Sequence, residues 1–335
     1  MMGAPSSPTL RMRSFPDRTQ LTIVFAHVAY RLGERFASRA TTLQYFEVRT
    51  PEALVTRIAD ADVLVVSGLW RNALIERAGK LRFVQSISAG VDQFSRPALK
   101  GRGIRLASAQ GVNERAVAEH AMALILALSR QLHLARDRQA QRLWRGLISD
   151  VNAREDELDG KTLLIVGLGR IGSRLAQLAA AFGMRLIATK RDPTVGPAAG
   201  VRVVGPDRLG ELLPQADIVA LTCPLMPDTE RLIGASAFAA MKRSAVLINV
   251  ARGRVVDESA LLVALERGDI AGAGLDCFEE EPLAPTSPLW RRENVLLTPH
   301  TAGETRRYED NVIDLLLDNL DRLWRGDARL RNEVL

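Results

Sequence analysis

The segment Gly167-Leu168-Gly169-Arg170-Ile171-Gly172 constrains this chain most, because it lies between an apolar run, 162–166, and a helical stretch, 170–182. At a strand-to-helix junction each glycine has a mechanical reason. The first makes a tight turn, the second lets a pyrophosphate approach the backbone, and the third lets helix and strand pack closely. The free N–H groups and positive dipole end of the helix then face the phosphates. The motif predicts a dinucleotide-binding unit with Gly167, Gly169, Arg170, Ile171 and Gly172 against the cofactor.

The same alternation runs through the rest of the chain. From 21 to 107, β-rich runs at 22–26, 63–66 and 83–86 alternate with helical runs at 53–59 and 73–78. After a charged link over 151–159, the glycine motif opens a second series with strands at 185–188, 218–221, 245–249, 272–275 and 295–297. Strands alternating with helices form parallel sheets covered on both faces. A length of 335 residues suits two domains. Asn113 is placed to cap a helix over 116–129 that is apolar all round apart from Glu119 and His120, a pattern that predicts burial between domains or subunits. Val312, Leu315, Leu316, Leu320 and Leu323 fall at helical spacing within a closing helix over 306–324.

Composition excludes several classes of function. The 45 basic residues are interspersed with 39 acids, so the net charge of +6 forms no aromatic-bearing basic stripe and argues against nucleic acid as a partner. Attraction of an anionic substrate and cofactor is the more economical use of that charge. The longest apolar run, 116–128, is broken by Glu119 and His120 and falls short of the roughly 20 residues a bilayer requires, which argues against a membrane role. Residues 1–20 carry Arg11, Arg13, Arg18 and three prolines but no apolar core, and read as a flexible extension rather than a signal peptide. Cys223 and Cys277 are the only cysteines; they give no disulfide framework and no metal-ligand spacing, consistent with a cytoplasmic protein.

In a doubly wound sheet a ligand binds beyond the carboxyl ends of the strands. Arg252 follows the strand at 245–249, Glu281 the strand at 272–275 and His300 the strand at 295–297. Three separate strand ends can thus converge on one crevice.

Together these segments resemble the D-2-hydroxyacid dehydrogenases. The glycine motif is followed in family order by Cys223-Pro-Leu-Met-Pro-Asp-Thr229, Asn249-Val-Ala-Arg252-Gly253, Gly274-Leu-Asp276-Cys-Phe-Glu-Glu-Glu281-Pro-Leu283 and Thr298-Pro-His300. Upstream, Ser88-Ala-Gly90-Val-Asp92 and Val117-Ala-Glu119-His120 match as well, so the likeness extends over roughly 60–325. The resemblance implies an α/β fold of two Rossmann-like, doubly wound parallel-sheet domains with the active site in the cleft between them. A substrate domain would comprise 21–112 and 304–335, and a dinucleotide-binding domain 113–303 would be inserted into it. It implies a homodimer through the cofactor domain and an arm around 139–147.

The chemistry of reducing a 2-oxo acid explains the residue types. It needs a cation for the carboxylate and carbonyl, a hydride, and a proton for the new alkoxide. Arg252 presents a fork of donors suited to an oxyanion. His300 gives the proton as imidazolium and removes it in the oxidation direction. Glu281 against His300 raises the affinity of the imidazole for its proton. The resemblance further implies that the backbone of Ala89, Gly90 and Val91 holds the substrate carboxylate, that Cys223, Pro224, Thr229, Val250 and Ala251 line the cofactor, and that Asp276 meets its nicotinamide end. At Asp276 the alternative is an acid that hydrogen-bonds neighbouring backbone. Trp70, Arg71, Trp144 and Trp290 are candidates for the pocket wall, with core or interface anchoring as the alternative.

About 20 residues past the glycines, where an NAD enzyme carries an acid for the ribose 2′-hydroxyl, this chain reads Thr189-Lys190-Arg191. The basic pair favours NADP(H). NAD(H) stays open, since Lys190 and Arg191 can instead face solvent while Asp192 reads the ribose. The leading expectation is a small 2-oxoacid reductase of the glyoxylate or hydroxypyruvate type. The alternatives are a D-3-phosphoglycerate dehydrogenase, for which the chain leaves no room for a regulatory domain, and a corepressor-like cofactor-sensing module, against which Arg252, Glu281 and His300 argue. A formate dehydrogenase is disfavoured by the acid at Glu281, because formate oxidation needs no acid–base group.

Overall fold

Short apolar, β-branched runs in this chain become strands buried on both faces. The computed structural model describes residues 15–39, 41–194 and 200–335. One compact unit takes the described residues up to Asn113 together with Thr305–Leu335; the other is Glu114–Glu304.

In the first unit, β1 (Thr22–Ala26), β2 (Gln44–Val48), β3 (Val63–Val66), β4 (Phe83–Ser86) and β5 (Arg105–Ala107) form a sheet of order β2-β1-β3-β4-β5. All its neighbouring strands run parallel. Every residue of β3 and β4 is buried, as expected of central parallel strands. One face packs against Leu54, Ile58, Leu74 and Leu99, and the other against the helices Leu32–Ala37 and Tyr308–Arg325, through Phe36, Val312, Leu316 and Leu320.

The second unit holds β6 (Thr162–Val166), β7 (Arg185–Thr189), β8 (Val201–Val204), β9 (Ile218–Leu221), β10 (Val246–Asn249), β11 (Gly272–Leu275) and β12 (Val295–Leu297), in the order β12-β11-β10-β9-β6-β7-β8. These pairs too are all parallel. The order reverses beside β6, so the loop after β6 lies at the topological switch point, where ligands of open α/β sheets bind.

Three strands lie outside the sequence expectation. β2 and β8 are edge strands with mixed exposure, and β5 has three residues, so none presents an unbroken apolar run. The helix expected over 116–129 spans Glu114–Ser129 and is not buried all round. Val117, Ala118, Ala121, Met122, Leu124 and Ile125 are buried, whereas Ala123 is exposed and Leu126–Leu128 are half-buried. It packs on one side against the helix Arg170–Ala181, while Arg115, Glu119 and Ala123 are exposed.

Of the expected flexible extension, residues 1–14 lie outside the described ones. Three of the described residues in it are held against the closing helix: Phe15 meets the Trp324 ring edge-on, the Trp324 indole donates to Pro16 O at 2.9 Å, and Arg18 stacks over the same ring while pairing with Asp321 at 2.7 Å.

Candidate active site

The glycine loop shows why each glycine is there. Gly167 has φ +100°, and a Cβ on it would come within 2.7 Å of Cys223 Cα. A Cβ on Gly172 would lie 2.5 Å from Gly167 O, which Thr222 Oγ1 already binds at 2.7 Å. At Gly169 the added Cβ would meet nothing within 4 Å, which leaves an open cradle at the N-terminus of the 12-residue helix Arg170–Ala181. The second glycine thus opens onto the place where a pyrophosphate would approach, so the residues present fit a dinucleotide.

The end of β7 is tied to this loop. Gly167 N and Leu168 N donate to Thr189 O at 3.2 and 2.8 Å, and Gly167 N also reaches Thr189 Oγ1. Lys190 and Arg191 therefore follow directly beside the glycine loop. Lys190 is half-buried; Arg191 is exposed and its Nη2 lies 3.0 Å from Met226 Sδ. The Asp192 carboxylate is turned forward, accepting from Thr194 N at 3.0 Å and Thr194 Oγ1 at 2.6 Å.

Across the switch point, Thr229 Oγ1 donates to Pro224 O and accepts from Met226 N, both at 2.7 Å, so its hydroxyl closes the 223–229 loop upon itself. Burial pushes the Cys223 thiol up to about 11. Val250 and Ala251 are buried at the end of β10.

Arg252 is positioned by the buried Asn249, whose side chain accepts from Ala251 N and donates to Arg252 O, both at 3.0 Å. The next residue decides where this loop can lie. A Cβ on Gly253 would fall 1.8 Å from Phe278 C; without one, the Arg252 loop presses against the backbone that leads to Glu281. Glu281 Oε1 accepts from Phe278 N at 3.0 Å, and Oε2 lies 2.7 Å from His300 Nδ1. That hydrogen bond, donated by His300 Nδ1 to Glu281, raises the affinity of His300 for its proton above the ordinary value, outweighing burial and the nearby Arg252 charge. Burial pushes the Glu281 carboxyl up, but His300, the Phe278 N–H and Arg252 together hold it below the usual range. The three expected catalytic residues therefore share one electrostatic neighbourhood.

His300 sits at φ +54°, in the left-handed region that a non-glycine residue adopts at a cost. Asp276 pins the turn that holds it there. Its buried carboxylate accepts from Thr298 Oγ1 at 2.6 Å and from Thr301 N and Ala302 N at 3.0 Å. Asn249, Gly253 and Thr298 were legible only as letters of motifs; their roles need contacts between strand ends.

In the first unit, Ala89, Gly90 and Val91 follow β4. Among the described residues, none accepts from their N–H groups. Ser88 N is held by Ser86 Oγ at 3.1 Å, and Ser88 Oγ meets Ser67 Oγ at 2.6 Å. Of the expected pocket-wall residues, Trp70 is a core residue instead, 2% exposed, packed on Phe94 with its indole N–H on Asn72 Oδ1. Arg71 turns its guanidinium back onto Gly68 O and Trp70 O. Trp290 anchors its own loop by donating to Ala284 O. Trp144 is 97% exposed.

A glycine cradle at the switch point of a parallel sheet, with a carboxylate-backed histidine and an arginine at neighbouring strand ends, defines an NAD(P)-dependent oxidoreductase. Residues 122–302 match the family described as D-isomer specific 2-hydroxyacid dehydrogenase, NAD binding domain. The chain is 38% identical to glyoxylate/hydroxypyruvate reductase B of Escherichia fergusonii over 302 residues, covering 89% of this chain and 91% of that protein. It is 35% identical to a glyoxylate reductase of Korarchaeum cryptofilum, covering 82% and 83%. The fold is similar to an NADPH-dependent glyoxylate/hydroxypyruvate reductase from Sinorhizobium meliloti solved with NADP and malonate: TM-score 0.80 at 29% identity, over 94% of this chain and 97% of that one. This chain belongs to the D-isomer specific 2-hydroxyacid dehydrogenase family.

Proposed function

We propose that this enzyme reduces small 2-oxo acids of the glyoxylate and hydroxypyruvate kind, with NADP(H) as the preferred cofactor. The observation that carries the reading is the 2.7 Å contact between His300 Nδ1 and Glu281 Oε2, with Arg252 close enough to act on both. When bound, the nicotinamide supplies a hydride to the 2-carbon of the acid. Arg252 holds the substrate carboxylate and polarises the carbonyl, and its fork of donors matches both oxygens. The consecutive N–H groups of Ala89, Gly90 and Val91 offer a second seat for the carboxylate. His300, with Nδ1 bound to Glu281, passes the Nε2 proton to the oxygen that becomes the hydroxyl. Asp276 orients the histidine turn and would lie at the nicotinamide end of the cofactor, as the family resemblance implies.

Lys190 and Arg191 beside the glycine loop support a 2′-phosphate, and engagement of Asp192 by Thr194 supports the absence of an acid at the ribose. Arg170, Ile171, Cys223, Pro224, Thr229, Val250 and Ala251 line the same cofactor. Charge-assisted hydrogen bonds to the phosphate, each worth about 1.5–3 kcal/mol, support a preference of at least about tenfold. Leu143, Trp144, Leu147 and Val151, all strongly exposed, support a homodimer in which a second copy covers this arm. Among the described residues no helix is long and apolar enough to cross a membrane, and no group of three or more side chains could hold a metal. Both free cysteines are buried, which agrees with a cytoplasmic protein. Steady-state kinetics with glyoxylate and hydroxypyruvate, using NADPH and NADH in turn, test the reading. We expect turnover of both acids with kcat/KM favouring NADPH; equal efficiency or preference for NADH overturns the cofactor assignment, and no turnover of either acid overturns the substrate class.

A further inference from the structure

The histidine turn has a second support outside the strand ends. His120 lies on the helix Glu114–Ser129, and its Nε2 is 2.9 Å from Thr298 Oγ1 and 3.6 Å from Asp276 Oδ1. Thr298 has one hydroxyl proton, and the 2.6 Å bond to the Asp276 carboxylate uses it. Thr298 Oγ1 can therefore only accept from His120, so His120 carries a hydrogen on Nε2. A directed chain results: His120 donates to Thr298, Thr298 donates to Asp276, and the same carboxylate accepts from Thr301 N and Ala302 N on the far side of His300. Thr298 N is bound to Leu275 O at 2.9 Å, which anchors the near end. The chain closes around Pro299 and His300, the one residue of this loop whose backbone adopts a positive φ.

We propose that His120 is a positioning residue for the acid–base histidine: acting through Thr298 and Asp276, it holds the turn in which His300 meets Glu281. The inference rests on the assignment of His300 as proton donor. A helix side chain suits the task, because the helix is packed against its neighbour by a buried apolar face, and sites built on such elements are held more closely than sites on loops. Without the donor, Thr298 turns, Asp276 loses part of its hold, and the imidazole leaves the geometry that keeps it protonated. Misplacement of a catalytic group by about 1 Å costs up to roughly 100-fold in rate.

The test is a mutant cycle on the full-length enzyme with NADPH and glyoxylate. His120→Leu and Thr298→Val should each lower kcat by about 10- to 100-fold. The double variant should be no slower than the worse single one, since both break one chain. His120→Gln, whose amide nitrogen replaces Nε2 as donor, should stay within about threefold of the native enzyme. NADPH affinity, read by fluorescence titration, should be unchanged. The upper pH limit of kcat/KM should fall in His120→Leu, because His300 loses its aligned partner. Native turnover in His120→Leu, losses that multiply in the double variant, or a His120→Gln enzyme as slow as His120→Leu each overturn the proposal. If His120→Leu fails to fold, Thr298→Val decides alone, and native turnover there overturns it. His300→Asn measured alongside separates the two assignments: a fast His300→Asn removes the underlying acid–base role, whereas a slow His300→Asn with a fast His120→Leu removes only the clamp.

Discussion

Two histidines in this chain stand at equivalent places in their own units, each in the loop that follows a strand of a parallel sheet. His27 follows β1 and His300 lies just beyond β12. Their chemistry is opposite. His27 Nδ1 accepts from Ala29 N at 3.1 Å and Tyr30 N at 2.8 Å, and the ring stacks on Tyr30 at 4.1 Å. A nitrogen that accepts two backbone donors carries no proton, and burial, assisted by Arg49, lowers the affinity of His27 for one despite Glu309. His300 presents the same atom to a carboxylate, which raises its affinity. The scaffold supplies the position, and the partner of Nδ1 supplies the charge state.

The same contrast runs along the two sheets. At the ends of β3 and β4 in the first unit, the side-chain hydrogen bonds among Ser67, Ser86, Ser88 and the Gln93 amide, which reaches Ser67 Oγ at 3.3 Å, join neutral groups. Beyond the strands of the second stand Arg252, Asp276, Glu281 and His300. Neutral donors suit binding of an anion, whereas proton transfer requires a group that changes charge near neutral pH.

Three measurements can break or sharpen this contrast. The largest effect is expected for His300→Asn, with kcat falling roughly 10²- to 10⁴-fold, while His27→Asn, whose carbonyl oxygen can still accept the two backbone donors, changes kcat by less than about threefold. A comparable fall in both would end the distinction. Next is Glu281→Gln. In the proposed acid–base role His300 gives its proton to the oxo acid, so activity should be present below its pKa and lost as pH rises through it. Removing the carboxylate lowers that pKa, and the upper pH limit of kcat/KM should move down; an unmoved profile would mean another group holds the imidazolium. The smallest signal is a titration of the imidazole resonances by NMR. His27 should titrate below the ordinary value of 6.5 and His300 above it; the reverse order would contradict both hydrogen-bond assignments.

Much of the scaffold was legible in the residues. The strands at 22–26, 63–66, 83–86, 218–221 and 272–275 coincide with the observed ones, because central parallel strands are buried on both faces and stand out as short apolar-rich runs, and the short apolar run at 295–297 marks the edge strand β12. Edge strands such as β2 alternate with solvent and carry no such run. Trp70 shows the same limit in a side chain: a tryptophan in a loop after a strand can line a pocket or fill a core, and only the Phe94 ring and Asn72 carbonyl around it decide for the core.

By itself the sequence determined the alternating α/β plan, the glycine cradle at a strand-to-helix turn, and the residue types available for the chemistry. These are properties of neighbours along the chain: burial periodicity, the conformational freedom of glycine, and the charge of a side chain. Tertiary structure decided the 2.7 Å contact by which Glu281, the carboxylate expected against His300, meets it, that Gly253 lets the Arg252 loop touch the Phe278 backbone, and that Asp276 and His120 converge on Thr298. Each is a contact between segments tens or hundreds of residues apart. Such contacts are set by the parallel register of β10, β11 and β12 and by the packing of a helix against them, and no local pattern encodes which strand ends will be neighbours.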